Sequence, residues 1–154
     1  MRQPKFRGFS PETNEWVYGY GWHETDYTDD FLRSINQSRQ DAVLFTKTFP
    51  ITCDIESMGE FTGLLDTNGV EIYEGDIVQV KYTYEQGYLG GYATEEVIGQ
   101  VEYKHGCFDV YKNNVDQGIV IREHISDLET EWEVIGNIFE DGELLNDSNH
   151  PETD

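Results

Sequence analysis

The fold of this chain is decided by the stretch Asp76-Ile77-Val78-Gln79-Val80-Lys81-Tyr82. Apolar and polar side chains alternate along it, so that Val78 and Val80 fall on one face and Lys81 on the other. Successive side chains of a β-strand point to opposite faces of the sheet. The turn-forming pair Gly75-Asp76 stands at its start. The stretch therefore predicts a strand with one buried face and one face in water.

Further β-favouring segments lie on both sides of this strand. Between two of them, His105-Gly106 predicts a tight turn and hence a hairpin. Helical signal is limited to a last turn over residues 141–145 and to residues 25–39. In the second region Thr28 or Asp29 is a candidate cap of a short helix, and a mobile loop is an equal alternative. The predicted strands cover residues 16–22, 42–53, 97–103, 107–111, 118–121 and 132–135.

The spacing of turns and strands from residue 60 onward is typical of a small, strongly curved β-barrel. Such barrels remove exposed sheet edges by curling the sheet on itself. We therefore predict a mostly β protein with little helix. Its predicted parts are an N-terminal β-rich region with a polar loop (1–58), a barrel-like core (59–145) and an acidic tail (146–154).

The charge of the chain limits its partners. Its 154 residues include 31 Asp and Glu but only 10 Lys and Arg, which gives a net charge of −21. Nucleic acids and anionic membranes repel such a surface, so direct nucleic-acid binding is disfavoured and no membrane partner is predicted. The sequence contains neither a signal-peptide pattern nor an apolar run of about 18 residues. Two isolated cysteines fit a reducing compartment, and we expect a cytoplasmic protein.

The sequence lacks a recognisable metal or nucleotide site. The four histidines do not occur at metal-ligand spacing with each other or with the cysteines. The stretch Asp66-Thr67-Asn68-Gly69 is typical of a tight turn, and it departs from a calcium loop because Glu71 occupies the position that requires glycine. The carboxylates of residues 71–76 favour turn and surface roles over cation binding. We expect no metal and no cofactor.

A nucleophile is also difficult to find in the sequence. Cys107 lies two residues from His105, and on a continuous strand these side chains would share a face. Gly106 favours a turn instead, in which case we interpret Cys107 as a small residue of the core. We therefore expect no catalytic residue and no enzymatic activity.

The segment that begins at Tyr82 has the composition of a recognition loop. Tyrosines provide a large and rigid contact area, and the glycines between them allow the chain to adapt to a partner. We predict that it contacts a protein, either another copy of the chain or a host factor. The alternative is a long β-hairpin whose tyrosines pack on the barrel. The predicted contact residues are Tyr84, Tyr88 and Tyr92.

A row of acids precedes the end of the last predicted strand. Its members recur with a period of two, which places them on one strand face. Regularly spaced carboxylates can imitate the phosphates of nucleic acid. The alternative function is therefore an acidic nucleic-acid mimic that occupies a host DNA-binding protein. The predicted acidic face consists of Asp127, Glu129, Glu131 and Glu133.

The most distinctive block of the sequence, residues 59–78, reads GEFTGLLDTNGVEIYEGDIV. Residues 5–9 with 16–19 and residues 133–140 with 143–145 form two further blocks. Taken in their order along the chain, the three blocks resemble the YopX family, which is found chiefly in bacteriophages and prophages of Gram-positive bacteria. The resemblance implies a phage-encoded, β-rich protein of unassigned activity, and it supplies no catalytic or ligand-binding residue. The leading hypothesis is an accessory protein that acts through protein–protein contacts, as a homo-oligomer or with a host or phage partner.

Overall fold

A computed structural model describes residues 3–112 and 131–147 of the chain. The chain divides into two compact units, residues 1–61 and 62–154. Both units consist mainly of antiparallel strands, and the prediction of a mostly β protein is confirmed.

The N-terminal unit contains two groups of hydrogen-bonded strands, in the orders β2-β1-β6 and β3-β4-β5. Its core includes the fully buried side chains of Ala42, Leu44 and Cys53. The aromatic stretch 16–22 is not one strand, because the chain leaves the first group and enters the second at Tyr20. The elements are β1 (Phe6–Ser10), β2 (Glu15–Gly19), β3 (Gly21–Glu24), α1 (Asp29–Ser34), β4 (Asp41–Phe45), β5 (Pro50–Asp54) and β6 (Gly59–Leu65), whose last residues belong to the second unit.

Residues 25–39 contain the short helix α1, which covers Asp29–Ser34, and are not a loop throughout. The side chain of Thr28 accepts a hydrogen bond from the amide of Phe31 at 3.2 Å, which satisfies one of the amide groups that a helix start leaves unpaired. Only Leu32 of this helix is buried, while Phe31 and Ile35 remain exposed. The cap and one buried leucine therefore hold α1 in place.

The C-terminal unit is built around a four-stranded sheet with the order β10-β9-β8-β11. The predicted alternation of residues 76–82 is confirmed for Val78 and Val80, which are fully buried, and for Lys81, which is exposed. The two valines pack in one cluster with Val101, Val110 and Trp132, among others. The elements after β6 are β7 (Glu71–Tyr73), β8 (Asp76–Glu85), β9 (Tyr92–Lys104), β10 (Cys107–Tyr111), β11 (Glu131–Asn137), α2 (Ile138–Asp141) and α3 (Glu143–Asp147).

The sheet curls like half of a barrel. In the described part of the chain its edge strands, β10 and β11, are not hydrogen-bonded to each other, and a closed barrel is not seen there. The strand predicted at residues 118–121 lies outside the described residues.

Two acidic turns hold the ends of these strands. The Asp66 carboxylate accepts hydrogen bonds from the amides of Asn68 and Val70, both at 2.8 Å, and from Val134 of β11 at 3.0 Å. The carboxylate of Asp76 is buried and accepts a hydrogen bond from the amide of Tyr73 at 2.7 Å. Both carboxylates therefore satisfy backbone donors, and both predicted turns are confirmed.

We expect Gly99→Ala to destabilise the protein, because β9 passes close to β10 at this residue. An added Cβ would lie 2.6 Å from Cγ1 of Val110 and 2.8 Å from the carbonyl oxygen of Tyr111. Overpacking of this kind lowers the free energy of unfolding by about 1–3 kcal/mol. Urea unfolding followed by circular dichroism measures the change.

The matched control is Gly21→Ala, because nothing lies within 4 Å of a Cβ added to this strand residue. Both substitutions reduce the conformational entropy of the unfolded chain similarly, so the difference between them reports the clash. Equal stability of the two variants would show that β9 and β10 are not in close contact at Gly99.

Candidate functional site

Among the described residues, β11 pairs with β8 as far as Lys81, and β10 pairs with β9 over residues 100–104. In this part of the chain the β8–β9 hairpin therefore continues as a two-stranded ribbon. The pairing of β8 with β9 continues from there to Glu85 and Tyr92. In the described part of the chain, residues 82–95 thus have no third strand beside them.

The tip of this ribbon is a compact turn rather than an open loop. The amide of Gln86 donates to the carbonyl of Gly91 at 3.0 Å, and the amide of Gly90 donates to that of Gly87 at 2.9 Å. These three glycines have positive φ values of 69°, 72° and 84° at residues 87, 90 and 91. Side chains other than glycine rarely adopt this backbone conformation. The glycines of the segment therefore shape the tip that presents its tyrosines.

The tyrosines of the tip point into water. Tyr88 is 103% exposed and Tyr92 is 72% exposed, so neither packs on the sheet. The alternative interpretation was a long β-hairpin whose tyrosines pack on the barrel. The hairpin is present, but Tyr88 and Tyr92 at its tip are not buried. Tyr84 lies on β8 opposite Ala93, and its side chain is outside the described part of the structure. The structure thus presents two of the three predicted contact residues at one tip.

The acidic face is partly described. Asp127 and Glu129 lie outside the described residues. Glu131 and Glu133 are both exposed and two residues apart on β11. Lys81 lies directly opposite Glu131 on one side and opposite Glu96 on the other. A base therefore separates the carboxylates of neighbouring strands on this face.

A cleft of about 400 Å³ lies beside these acids. The turn residues Thr67 and Asn68 form one wall, and the outer face of β11, β8 and β9 forms the other. Within it, the amide of the Gln79 side chain donates to Glu96 at 3.4 Å. The cleft has a mixed lining of acids, amides and one lysine, which can contact polar groups but defines no single ligand.

The N-terminal unit exposes an aromatic patch that the sequence did not indicate. We define this aromatic patch as Tyr20, Phe45 and Phe49, which are 39%, 43% and 65% exposed. The amide of Tyr20 donates to the carbonyl of Phe45 at 2.9 Å, which links the first two residues. Apolar residues beside strands are usually predicted as buried, so the exposure of these three residues was not expected. The run of aromatic residues around Tyr20 was the only feature of the sequence that pointed to the patch.

The Cys107–His105 pair is separated by a turn, as its alternative interpretation predicted. His105 and Gly106 have φ values of 54° and 82° and connect β9 to β10. The thiol of Cys107 donates to the carbonyl of Lys104 at 3.7 Å. Cys107 is half-buried and does not belong to the core cluster that contains Val110, so its interpretation as a core residue was wrong.

Tyr111, at the end of β10, is a buried tyrosine. Burial raises the pKa of Tyr111, and the negative charges of Asp109, Cys107 and Glu102 raise it further. The Nζ atom of Lys104 lies 4.4 Å from the centre of its ring. A raised pKa keeps the phenol protonated and makes it a weak nucleophile at neutral pH.

In residues 3–112 and 131–147, no three His, Cys, Asp or Glu side chains lie close enough together to hold a metal ion. None of the described helices has the length and apolar character that crossing a bilayer requires.

The strands and their exposed tip define a class of mostly β protein with a projecting, tyrosine-bearing hairpin. The model of the family described as YopX protein matches residues 5–146, and the chain belongs to this family. The resemblance seen in the sequence is confirmed. Protein EF1440 from Enterococcus faecalis has a similar crystal structure, with 22% sequence identity, a TM-score of 0.46, and coverage of 92% of this chain and 97% of that chain. No match was found among the curated proteins.

The two cysteines are expected to differ in reactivity towards a thiol reagent. Cys53 is fully buried, and burial raises the pKa of its thiol to about 11. Since the thiolate is the reactive form, Cys53 should stay unmodified at pH 8 until the protein unfolds. Ellman's reagent applied to Cys107→Ser, with and without urea, measures this.

The matched control is Cys53→Ser, which retains only the half-buried Cys107. Its remaining thiol should react in the folded protein. Rapid labelling of Cys53 in the folded Cys107→Ser variant would contradict the buried core of the N-terminal unit.

Proposed function

We propose that this protein is a phage-encoded, non-enzymatic accessory protein of the host cytoplasm that acts by binding proteins, a second copy of itself included. Binding occurs through the tyrosine tip, which we define as Glu85, Tyr88 and Tyr92. The observation that carries the proposal is the exposure of Tyr88 and Tyr92 at the end of the β8–β9 hairpin.

The energetics of the tyrosine tip support a binding role. An aromatic ring in water contributes no buried apolar area to folding, so Tyr88 is not needed for a core. On contact with a partner, the same ring buries a large area and loses little conformational entropy. The hydrogen-bonded turn beneath it fixes the backbone before binding, which lowers the cost of association.

Other features support the remaining parts of the proposal. Family membership supports a phage origin. The buried carboxylates of Asp66 and Asp76 are bonded to backbone amides, which accounts for them without a reaction. Cys53 and Cys107 are not paired in a disulfide, in keeping with a reducing compartment.

The tyrosine tip is tested by the double substitution Tyr88→Ser/Tyr92→Ser. We expect the dissociation constant of self-association, measured by sedimentation velocity, to rise at least about 30-fold, because two interface tyrosines typically contribute more than 1 kcal/mol each. Pull-downs from host lysate with wild type and variant extend the test to other partners.

The control is Tyr103→Ser, which removes a tyrosine that is 54% exposed but lies outside the tip. This variant should associate as the wild type does. If all contacts of the wild type survive the loss of both tip tyrosines, the tip is not the binding site and the proposed function is wrong.

Mimicry of nucleic acid is the second candidate function. The exposed pair Glu131 and Glu133 favours it, since the two carboxylates share one strand face. Lys81 weakens it, because this base lies opposite Glu131 and interrupts the negative row across the sheet. The tip is therefore the better supported contact.

The mimic is tested by Glu131→Gln/Glu133→Gln, with Glu12→Gln/Glu15→Gln as a control of equal charge change on exposed residues. If the protein imitates phosphates, only the first variant should lose a basic partner in pull-downs, and high salt should release that partner. Equal retention by both variants in low salt would exclude this face as the mimic.

A further inference from the structure

The aromatic patch is held in a defined geometry although it lies in water. The Thr46 hydroxyl donates to the carbonyl of Phe49 at 2.7 Å and accepts from the amide of Phe49 at 3.2 Å. The β4–β5 connection is thereby closed, and Phe49 is presented with 65% of its surface exposed. Phe45 bonds to Tyr20 through the backbone and pairs with Pro50, the residue after Phe49, so the three exposed aromatic residues are neighbours along the backbone. Grouped exposed apolar residues of this kind mark protein contacts.

A lysine lies beside the aromatic patch. The Nζ atom of Lys47 lies 6.0 Å from the centre of the Tyr20 ring, and the ring of His23 lies 5.6 Å from that of Phe45. No Asp or Glu occurs in residues 43–50. On a chain with a net charge of −21, an aromatic surface beside a lysine selects for an acidic partner.

The tyrosine tip has the complementary chemistry. Glu85 is exposed and lies directly opposite Tyr92, so a carboxylate and an aromatic ring are neighbours at the end of the ribbon. Residues 82–95 contain no Lys or Arg. The tip therefore offers aromatic rings with negative charge, while the patch offers aromatic rings with positive charge.

We propose that the aromatic patch of one copy is the docking surface for the tyrosine tip of a second copy. This inference rests on the proposed function, for which it names the partner. A contact of patch with patch would bring Lys47 against the Lys47 of the other copy, and a contact of tip with tip would do the same with Glu85. Pairing tip with patch instead places Glu85 near Lys47 and buries rings on both sides. Such an interface is heterologous, since it joins two different surfaces.

A mixing experiment tests the pairing. The tip variant is Tyr88→Ser/Tyr92→Ser, and the patch variant is Phe45→Ser/Phe49→Ser. Each variant alone should lose self-association by at least about 30-fold, because one half of every interface is missing. An equimolar mixture should recover a one-to-one complex with near wild-type affinity, since the tip variant keeps its patch and the patch variant keeps its tip. Sedimentation velocity with one variant fluorescently labelled detects this complex.

Other outcomes overturn the pairing and separate it from the proposed function. Self-association that survives in the tip variant but not in the patch variant would indicate patch-to-patch contact, and the reverse result would indicate tip-to-tip contact. A monomeric wild type whose tip still captures a different protein would overturn this inference and the self-association in the proposed function, but would leave the binding role of the tip standing. No recovery in the mixture, with both variants shown to be folded by near-ultraviolet circular dichroism, would also overturn it.

Charge reversal gives a second test with less risk to folding. Lys47→Glu alone and Glu85→Lys alone should each weaken self-association about 3–10-fold, because each places like charges together. The double variant carrying both changes should regain most of the affinity at low salt. Additive weakening in the double variant would show that the two residues do not meet.

Discussion

The antiparallel pairing of β8 with β9 is the constraint on which the C-terminal unit depends. One register runs without interruption from Ile77 opposite Gln100 to Glu85 opposite Tyr92. Where β11 flanks this pair, the register sends Val78 and Val80 into the core. A slip by one residue would move every side chain to the other face, so core and outer surface are set together. Beyond Lys81 the same register continues to Glu85 and Tyr92, and the tyrosine tip is its end.

The abundance of acids in this chain has two different physical explanations. Buried carboxylates such as that of Asp66 are acceptors for several backbone amides, and their burial is compensated by those hydrogen bonds. Exposed carboxylates such as that of Glu131 remain hydrated and repel other copies of the chain. A count of acids in the sequence does not separate these two groups. The structure separates them by burial and by the donors that each carboxylate meets.

Much of the fold could be predicted because it follows from local chemistry. The alternation of residues 76–82, the His105-Gly106 turn and the Asp66 turn each have a cause within a few residues. The break at Tyr20 could not be predicted, since a period of two does not specify which sheet a strand joins. The composition of the tip indicated its tyrosines, but it could not specify whether they pack on the sheet, because that depends on contacts with residues far away in the sequence. The exposure of Phe45 and Phe49 was missed, because apolar residues beside strands usually lie inside.

Charge and aromatic surface together determine which contacts such a chain can make. With a net charge of −21, two copies repel each other at any orientation that does not bring a base to the interface. Only 10 of the 154 residues are Lys or Arg, so few orientations meet this condition. An interface must then supply enough buried aromatic area to exceed the remaining repulsion. In the proposed interface, Lys47 beside Tyr20 meets the first requirement, and the exposed ring of Phe49 contributes to the second.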